Sequence, residues 1–108
     1  MNNRRHSEVA VVIPMLNEEA ALPAVIANIA ALDPQPAEVV VVDGGSTDRS
    51  VEIARTAGFR VIDHHRKGRA TQLNRGVEEA RAALICVLHA ETELPVDALA
   101  LVEQTLAN

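Results

Sequence analysis

Four consecutive valines, residues 39–42, followed at once by Asp-Gly-Gly-Ser-Thr-Asp, are the feature that most narrows the folds open to this chain. An unbroken run of β-branched residues is typical of a strand that is buried on both faces, as in a parallel sheet. The two glycines and two hydroxyl residues after it predict a tight turn that leads into a helix. The sequence therefore indicates a strand, a turn and a helix, with the carboxylate of Asp43 at the junction.

The same pattern recurs along the chain. Apolar runs at residues 9–13, 59–62 and 84–88 predict three further strands. Four sets of apolar residues recur at helical spacing: Leu22, Val25, Ile26 and Ile29; Val51, Ile53, Ala54 and Ala57; Ala70, Leu73, Val77 and Ala80; and, after Pro95, Val96, Leu99, Val102 and Leu106. This alternation predicts an α/β domain of three layers, in which helices cover both faces of a parallel sheet of about four strands.

Composition limits the partners and the location of the protein. Its 108 residues fit a single domain, residues 1–108. A net charge of −5, one Phe and the lack of Trp and Tyr disfavour nucleic acid as a partner. Cys86 lies within an apolar run, which predicts a core residue in a reducing, cytoplasmic compartment. No apolar stretch approaches the roughly 20 residues of a transmembrane helix, so none is predicted.

Polar and charged residues follow each predicted strand, in loops at residues 14–19, 43–48, 64–69 and 89–93. Because parallel strands end at the same edge of a sheet, these loops are expected to meet there. The first loop lacks the glycine patterns of dinucleotide-binding and phosphate-binding loops, which disfavours both of those functions. Four basic residues within ten positions could meet a small anion: Arg66, Lys67, Arg69 and Arg75.

Two of these loops permit both a structural and a functional interpretation. Asp43 could accept hydrogen bonds from a base or ribose, while the glycines after it allow a ligand to approach. Alternatively, Ser46 or Thr47 caps a helix and Asp48 lies in its first turn. In the same way, Asn17 is either a helix N-cap followed by acidic residues or part of one wall of a nucleotide pocket.

The segment His89-Ala90-Glu91 follows the fourth predicted strand and places two potential metal ligands two residues apart. In an extended segment both side chains would project to one side. A hard divalent cation, Mg²⁺ or Mn²⁺, would bind there and bridge to a diphosphate, with Glu93 assisting. The alternative is a solvent-exposed acidic turn before the helix at Pro95.

Taken together, the segments VVIPMLNEE, VVVVDGGSTDRSVEIA, GRATQLNRG and LHAETELP make the chain resemble the family 2 glycosyltransferases of the GT-A fold. The resemblance is greatest to a small bacterial branch with LHADT after the fourth strand, and it runs from about Val9 to Pro95. It implies a Rossmann-like domain that takes part in transfer of a sugar from a nucleotide-diphosphate sugar to an acceptor hydroxyl, assisted by a divalent metal.

The resemblance also implies roles for individual residues. Those that would bind the donor are Pro14, Asn17 and Glu18; Asp43, Gly44, Gly45, Ser46 and Asp48, with Asp43 at the base or ribose; and Gly68, Arg69 and Asn74, with Arg69 near the diphosphate. The family's D-x-D metal motif falls on His89-Ala90-Glu91, with Glu91 as the principal ligand. This chain departs from the family in having His89 and Glu91 there, and Leu16 where an aromatic residue is frequent.

Relatives of this kind continue beyond the position of Asn108, so the chain is expected to supply only the donor-binding half. The acceptor site and general base would then lie elsewhere, and no catalytic residue is assigned; Asp63, His64 and His65 are better explained as a solvated loop. The alternative is a non-catalytic nucleotide-binding or assembly module, while a sugar nucleotidyltransferase is disfavoured because its basic glycine-rich loop is missing. Uncovered apolar surface predicts a homo-oligomer, or a second chain that supplies the acceptor half.

Overall fold

The structure, a computed structural model, describes residues 6–65 and 68–107 and contains one four-stranded parallel sheet within them. Its strands are β1 (Val9–Met15), β2 (Glu38–Asp43), β3 (Arg60–Asp63) and β4 (Leu84–Val87). Its helices are α1 (Leu22–Ala30), α2 (Ser50–Thr56), α3 (Arg69–Glu79) and α4 (Ala98–Ala107). The predicted α/β class with a parallel sheet is confirmed.

The first strand, β1, is the centre of the sheet. The strand order is β3-β2-β1-β4, and Val11 of β1 pairs with Val39 on one side and with Cys86 on the other. Every residue of β1 is buried. This explains why its sequence is apolar without alternation, because both faces of the strand are covered and neither meets water.

Alternate residues of the strands build two separate cores. Val9, Val11 and Ile13 of β1 pack in a cluster with residues of α1, α2 and α4. Val12 belongs to a second cluster with Val40, Val42 and Ile62, on the face that α3 covers. The predicted arrangement of three layers follows from this division.

The predicted apolar face of α3 is wrong. Ala70 is exposed, and Val77 is 47% exposed, whereas the helix buries Gln72 and Gly76. A Cβ atom at Gly76 would lie 2.4 Å from Val12 Cγ1, which is far closer than two carbon atoms can approach. The helix therefore packs close to the sheet through a glycine, and its larger apolar residues do not make that contact.

Two element boundaries also differ from the prediction. The last helix begins at Ala98 and not at Pro95. Pro95 lies in a turn before the helix, and its carbonyl accepts a hydrogen bond from the Ala98 N–H at 3.0 Å. Strand β4 ends at Val87, one residue early. Both changes lengthen the polar segment after β4, which contains His89 and Glu91.

Apolar side chains remain uncovered near β4, on the face of the sheet that α3 occupies. Val87 is 41% exposed, and Ile85, which is on the same face, is partly buried. Cys86 is half-buried on the opposite face, and its burial raises the pKa of its thiol. Among the described residues, no helix is long and apolar enough to cross a membrane.

The substitution Gly76→Ala tests the close packing of α3. Alanine favours a helix over glycine by about 1 kcal/mol, but here the added methyl group would collide with Val12 and Val42. We expect the cost of overpacking to exceed the gain in helix propensity. The free energy of unfolding, measured by urea denaturation, should therefore fall by about 1–2 kcal/mol. Glu78→Ala, at an exposed position of the same helix, is the matched control. A Gly76→Ala protein as stable as the wild type would show that the helix is free to move outward.

Candidate functional site

The strand order creates a switch point beside β1. From β1 the chain builds β2 and then β3 on one side, and it then returns through α3 to place β4 on the other side. Ligands of open parallel sheets bind beyond the carboxyl ends of the strands at such a point, because the flanking loops diverge there and leave a crevice. The crevice here lies between the loops that follow β1 and β4.

Two adjoining cavities lie at this edge of the sheet. The first, of about 290 Å³, is lined by Pro14, Glu18, His89, Ala90, Glu91 and Thr92. The second, of about 340 Å³, is lined by Pro14, Met15, Leu16, Glu18, Gly68 and Gln72. Because Pro14 and Glu18 belong to both, the two cavities are neighbours, which we call the β4 cavity and the α3 cavity. A larger cavity of about 580 Å³, between α1 and residues 90–96, adjoins the β4 cavity, since Ala90, Glu91 and Thr92 line both.

Asp43 is the last residue of β2, and its buried carboxylate holds the turn that follows. The carboxylate accepts hydrogen bonds from the N–H groups of Gly45, at 3.2 Å, and Ser46, at 3.0 Å, and from the Ser46 hydroxyl. Gly45 has a φ of +105°, a conformation that L-residues rarely adopt, so the tight turn requires a glycine there. The carboxylate of Asp43 is therefore engaged by its own loop.

Asn17 joins the loop after β1 to the loop after β2. Its N–H donates to the Ser46 hydroxyl at 2.8 Å, and its side-chain oxygen accepts from the N–H groups of Thr47, at 2.8 Å, and Asp48, at 3.4 Å. The expectation that Asn17 caps α1 is wrong, since α1 begins at Leu22 and Asn17 takes a φ of +51°. Its amide satisfies backbone groups of the neighbouring loop, which no local sequence pattern indicates.

Asp48 and Ser50 extend this connection. The Asp48 carboxylate accepts from the Ser50 N–H, at 2.9 Å, from the Ser50 hydroxyl, and from the Glu19 N–H, at 3.2 Å. The Ser50 hydroxyl in turn accepts from the Glu18 N–H at 2.8 Å. Because α2 begins at Ser50, the prediction that Ser46 or Thr47 caps it is wrong. These bonds hold Glu18 in place beside both cavities.

Hydrogen bonding also changes the acidity of Asp48. The Ser50 hydroxyl, assisted by backbone N–H groups, holds the pKa of the Asp48 carboxyl below its ordinary value. A carboxylate whose pKa is lowered on folding stabilises the fold above its unfolded pKa. That contribution is lost as the pH falls through the lowered value.

Gln72 is a residue of the site that the sequence did not reveal. Only 8% of it is exposed, and its side-chain nitrogen donates to the Met15 carbonyl at 3.2 Å and to the Val42 carbonyl at 3.1 Å. A glutamine on a helix that also carries Arg, Thr, Asn and Glu gives no sign that it faces the sheet. The one sequence signal that Gln72 faces the sheet is its position four residues before Gly76, which puts both on one face of the helix. That signal becomes informative only once Gly76 is known to be buried.

The structure brings together some of the predicted site residues. Pro14, Glu18, Gly68, His89 and Glu91 line the two cavities. Two other predicted site residues line different cavities. Asn74 lines a cavity of about 420 Å³, together with His64, Thr71, Arg75 and Glu78. Glu93 lines the larger cavity beside α1. Arg75 has an ion pair with Glu79 at 3.5 Å. Of the predicted basic cluster, Arg66, Lys67 and the side chain of Arg69 lie outside the described residues.

The segment expected to bind a metal is a turn and not an extended strand. The Thr92 N–H donates to the His89 carbonyl at 2.9 Å, so the argument that alternate residues project to one side does not apply. His89 and Glu91 nevertheless line the same cavity as Glu18. Within residues 6–65 and 68–107, no group of three or more His, Cys, Asp and Glu residues is arranged to hold a metal ion.

A parallel sheet covered by helices on both faces, with cavities at its switch point, places the chain among the Rossmann-like α/β domains, whose ligands bind at that point. The sequence matches the glycosyl transferase family 2 pattern over residues 10–107. The chain therefore belongs to glycosyl transferase family 2, as the resemblance implied.

Curated relatives agree with this assignment. An undecaprenyl-phosphate 4-deoxy-4-formamido-L-arabinose transferase of Aeromonas hydrophila is 34% identical over 105 residues, which cover 88% of this chain and 32% of that protein. A PGL/p-HBAD biosynthesis glycosyltransferase of Mycobacterium bovis is 38% identical over 91 residues, which cover 79% of this chain and 36% of that protein. The chain thus spans about a third of the length of these relatives.

Solved structures share the fold. A mannosyltransferase of Pyrobaculum calidifontis in complex with GDP-Man and Mn²⁺ superposes with a TM-score of 0.85 at 27% identity, over 98% of this chain and 34% of that one. A glucosyl-3-phosphoglycerate synthase of Mycobacterium tuberculosis in complex with Mn²⁺ and UDP gives a TM-score of 0.68 at 28% identity, over 82% and 34%. The present fold is therefore that of the GT-A enzymes.

Substitution of Ser50 tests the connection between the two loops. In Ser50→Ala the carboxylate of Asp48 loses its hydroxyl donor, so we expect the pKa of Asp48 to rise towards its ordinary value. Carbon-detected NMR titration of the side-chain carboxyls measures this change. Thr105→Ala, which removes a hydroxyl from α4, is the control and should leave the pKa of Asp48 unchanged. An Asp48 pKa that is the same in both variants would contradict the assignment.

Proposed function

We propose that this chain binds the nucleotide-diphosphate sugar from which a family 2 glycosyltransferase transfers a sugar to an acceptor hydroxyl. The observation that carries the proposal is the pair of adjoining cavities at the switch point, which share Pro14 and Glu18. A nucleotide sugar has an aromatic base at one end and a charged diphosphate beyond the ribose, so it needs two connected subsites of different character.

The α3 cavity suits the base. Leu16 and Pro14 offer apolar surface to a ring, and Leu16 is 52% exposed although it is a large apolar residue. Gly68 brings the start of α3 to the same cavity, and the N–H groups at a helix N-terminus favour negative charge. A nucleotide whose base lay against Leu16 would thus have its phosphates within reach of the helix start and of the β4 cavity.

The turn after β4 suits a divalent cation at the diphosphate. Mg²⁺ is commonly held by one or two carboxylates together with substrate phosphates, so a complete cage of protein ligands is not required. Glu91 and Glu18 supply carboxylates to one cavity, and His89 adds an imidazole, which Mn²⁺ accepts more readily than Mg²⁺ does. These side chains are of the chemical type that such an ion binds, although no three such residues of the described chain are arranged as a formed site. We propose Glu91 as the principal ligand and Glu93 in a secondary role. When bound, the ion would neutralise charge on the leaving diphosphate.

The remaining predicted residues support this site indirectly. Asn17, Ser46 and Asp48 bond the two loops to each other, and Asp43 holds the turn that carries Gly44 and Gly45. We propose that these residues shape the donor pocket. Direct contacts of Asp43, Arg69 or Asn74 with the nucleotide remain predictions. The relatives' complexes with GDP-Man, UDP and Mn²⁺ favour the same donor class and the same ion.

The acceptor and the general base are proposed to come from protein outside these residues, either further chain or a second subunit. The chain spans about a third of its relatives, so the complete transfer reaction is a proposal for the larger unit. The free thiol of Cys86 favours the cytoplasm as its location. The alternative of an assembly module is favoured by two exposed apolar residues, Val77 of α3 and Val87 of β4.

Glu91→Gln tests the donor site. We expect the wild-type chain to bind UDP or GDP, or their sugar conjugates, and to bind them about tenfold or more tightly with Mn²⁺ present. In Glu91→Gln the gain with Mn²⁺ should disappear, because the amide is a poor ligand for a hard cation. Isothermal titration calorimetry measures both effects.

Glu78→Gln is the control for that experiment, since it removes the same charge from an exposed position on α3. It should keep the full dependence on Mn²⁺. If neither UDP nor GDP binds at millimolar concentration, the nucleotide-binding proposal is wrong. If both variants respond to Mn²⁺ like the wild type, Glu91 is not the metal ligand.

Self-association is a separate prediction from the uncovered face near β4. The double variant Val77→Ser and Val87→Ser should weaken an association that the wild-type chain shows at micromolar concentration, because it removes the exposed apolar contact. Sedimentation velocity measures the mass distribution of each. Leu106→Ser, on α4 away from that face, is the matched control. A wild-type chain that sediments only as a monomer would contradict the prediction.

A further inference from the structure

The amide of Gln72 is held in one orientation. Its nitrogen has two N–H groups, and these donate to the carbonyls of Met15 and Val42 at 3.2 and 3.1 Å. A flipped amide would direct its oxygen at two carbonyl oxygens, with no hydrogen between them. The hydrogen-bond pattern therefore assigns the nitrogen to the sheet side and the oxygen, Oε1, to the other side.

Gly44 packs closely against this amide. A Cβ atom at position 44 would lie 3.0 Å from Gln72 Nε2 and 3.4 Å from Oε1, so a side chain there would displace the group. Gly44 is itself bonded to the end of β1, since its N–H donates to the Met15 carbonyl at 2.8 Å. The same carbonyl thus fixes both Gly44 and Gln72, and the amide has little freedom to turn or withdraw.

The oxygen of this amide is a hydrogen-bond acceptor available to a ligand. Gln72 is 92% buried, given its 8% exposure, and it lines the α3 cavity with Leu16 and Glu18. Among the described residues, none donates a hydrogen bond to Gln72 Oε1. An acceptor with a fixed direction, on a residue that is largely buried and beside an apolar wall, favours a ring that presents an N–H group directly to it.

Nucleotide bases differ in this property. Uracil has a proton on N3 and guanine has one on N1, whereas N3 of cytosine and N1 of adenine have a lone pair at the equivalent position. Where the ring nitrogen faces Gln72 Oε1, uracil and guanine donate a hydrogen bond, whereas cytosine and adenine place a lone pair against that of the oxygen. Cytosine N4 and adenine N6 also carry N–H groups, but these reach Oε1 only if the base is displaced along its edge. Because Nε2 is committed to two carbonyls, the amide cannot flip to donate to the ring nitrogen of cytosine or adenine.

We propose that Gln72 is a specificity-determining residue of the donor site, which accepts a hydrogen bond from the ring N–H of uracil or guanine and thereby favours these bases over cytosine and adenine. This inference rests on the proposed function, since it assumes that a nucleotide base occupies the α3 cavity. In this role Gln72 would determine which nucleotide base is bound and would have no part in the transfer step.

The first test varies the ligand and leaves the protein unchanged. With Mn²⁺ present, the wild-type chain should bind UDP roughly 10- to 100-fold more tightly than CDP, or GDP more tightly than ADP by the same factor. Methylation of the ring nitrogen, as in N3-methyluridine diphosphate or N1-methylguanosine diphosphate, should cause a similar loss. Isothermal titration calorimetry with these diphosphates measures the ratios directly.

The second test varies the protein. Gln72→Met keeps the length of the side chain but removes the acceptor, so UDP and CDP, or GDP and ADP, should then bind within about threefold of each other. Gln104→Met, at an exposed amide on α4, is the control and should keep the wild-type ratio. If Gln72→Met does not fold, because two carbonyls lose their donor, the methylated ligands still decide the question.

The outcomes separate the two proposals. Equal binding of all four diphosphates, an unchanged affinity on methylation, or a Gln72→Met protein that keeps the wild-type ratio would each overturn the role of Gln72 while leaving the donor site intact. Failure of every nucleotide to bind would overturn the proposed function and, with it, this inference. Discrimination that disappears both on methylation and in Gln72→Met would establish it.

Discussion

The pairing of β1 with a parallel strand on each side is the constraint on which the rest of the structure depends. It buries all of β1 and divides the side chains into two cores. It also places the loop after β1 between the loops of β2 and β4, at the point where the strand order reverses. The two cavities share Pro14 and Glu18 because Pro14 lies near the carboxyl end of this central strand and Glu18 lies in the loop that follows it.

Hydrogen bonds between loops then convert a sheet edge into a defined site. Backbone N–H groups at Asn17, Glu18 and Glu19 are satisfied by side chains of the loop after β2. The reverse bonds, to the side-chain oxygen of Asn17, satisfy that second loop. Since each loop supplies acceptors for backbone N–H groups of the other, the two loops are held in position relative to each other.

Much of the fold was readable from local patterns, but the site was readable only in part. Apolar runs located all four strands to within two residues, because strands buried on both faces need little beyond continuous β-branched residues. The pattern failed on α3, where periodicity selected Ala70 and Val77 while the buried face is Gln72 and Gly76. Among the polar residues, Glu18 and Glu91 were expected at one edge and do line one cavity. One of the two alternatives for Asn17 and Asp48 placed them at helix starts, whereas in the structure they join two loops.

By itself, the sequence determined the class of fold, the family and the edge of the sheet where polar residues collect. These depend on periodicity and on motifs that are contiguous in the chain. The tertiary structure alone decided which face of α3 packs on the sheet, which loop each polar side chain satisfies, and the direction of the Gln72 amide. The physical reason is that the carbonyls that orient Gln72 belong to Met15 and Val42, far away in sequence, so the constraint exists only after β1, β2 and α3 have come together.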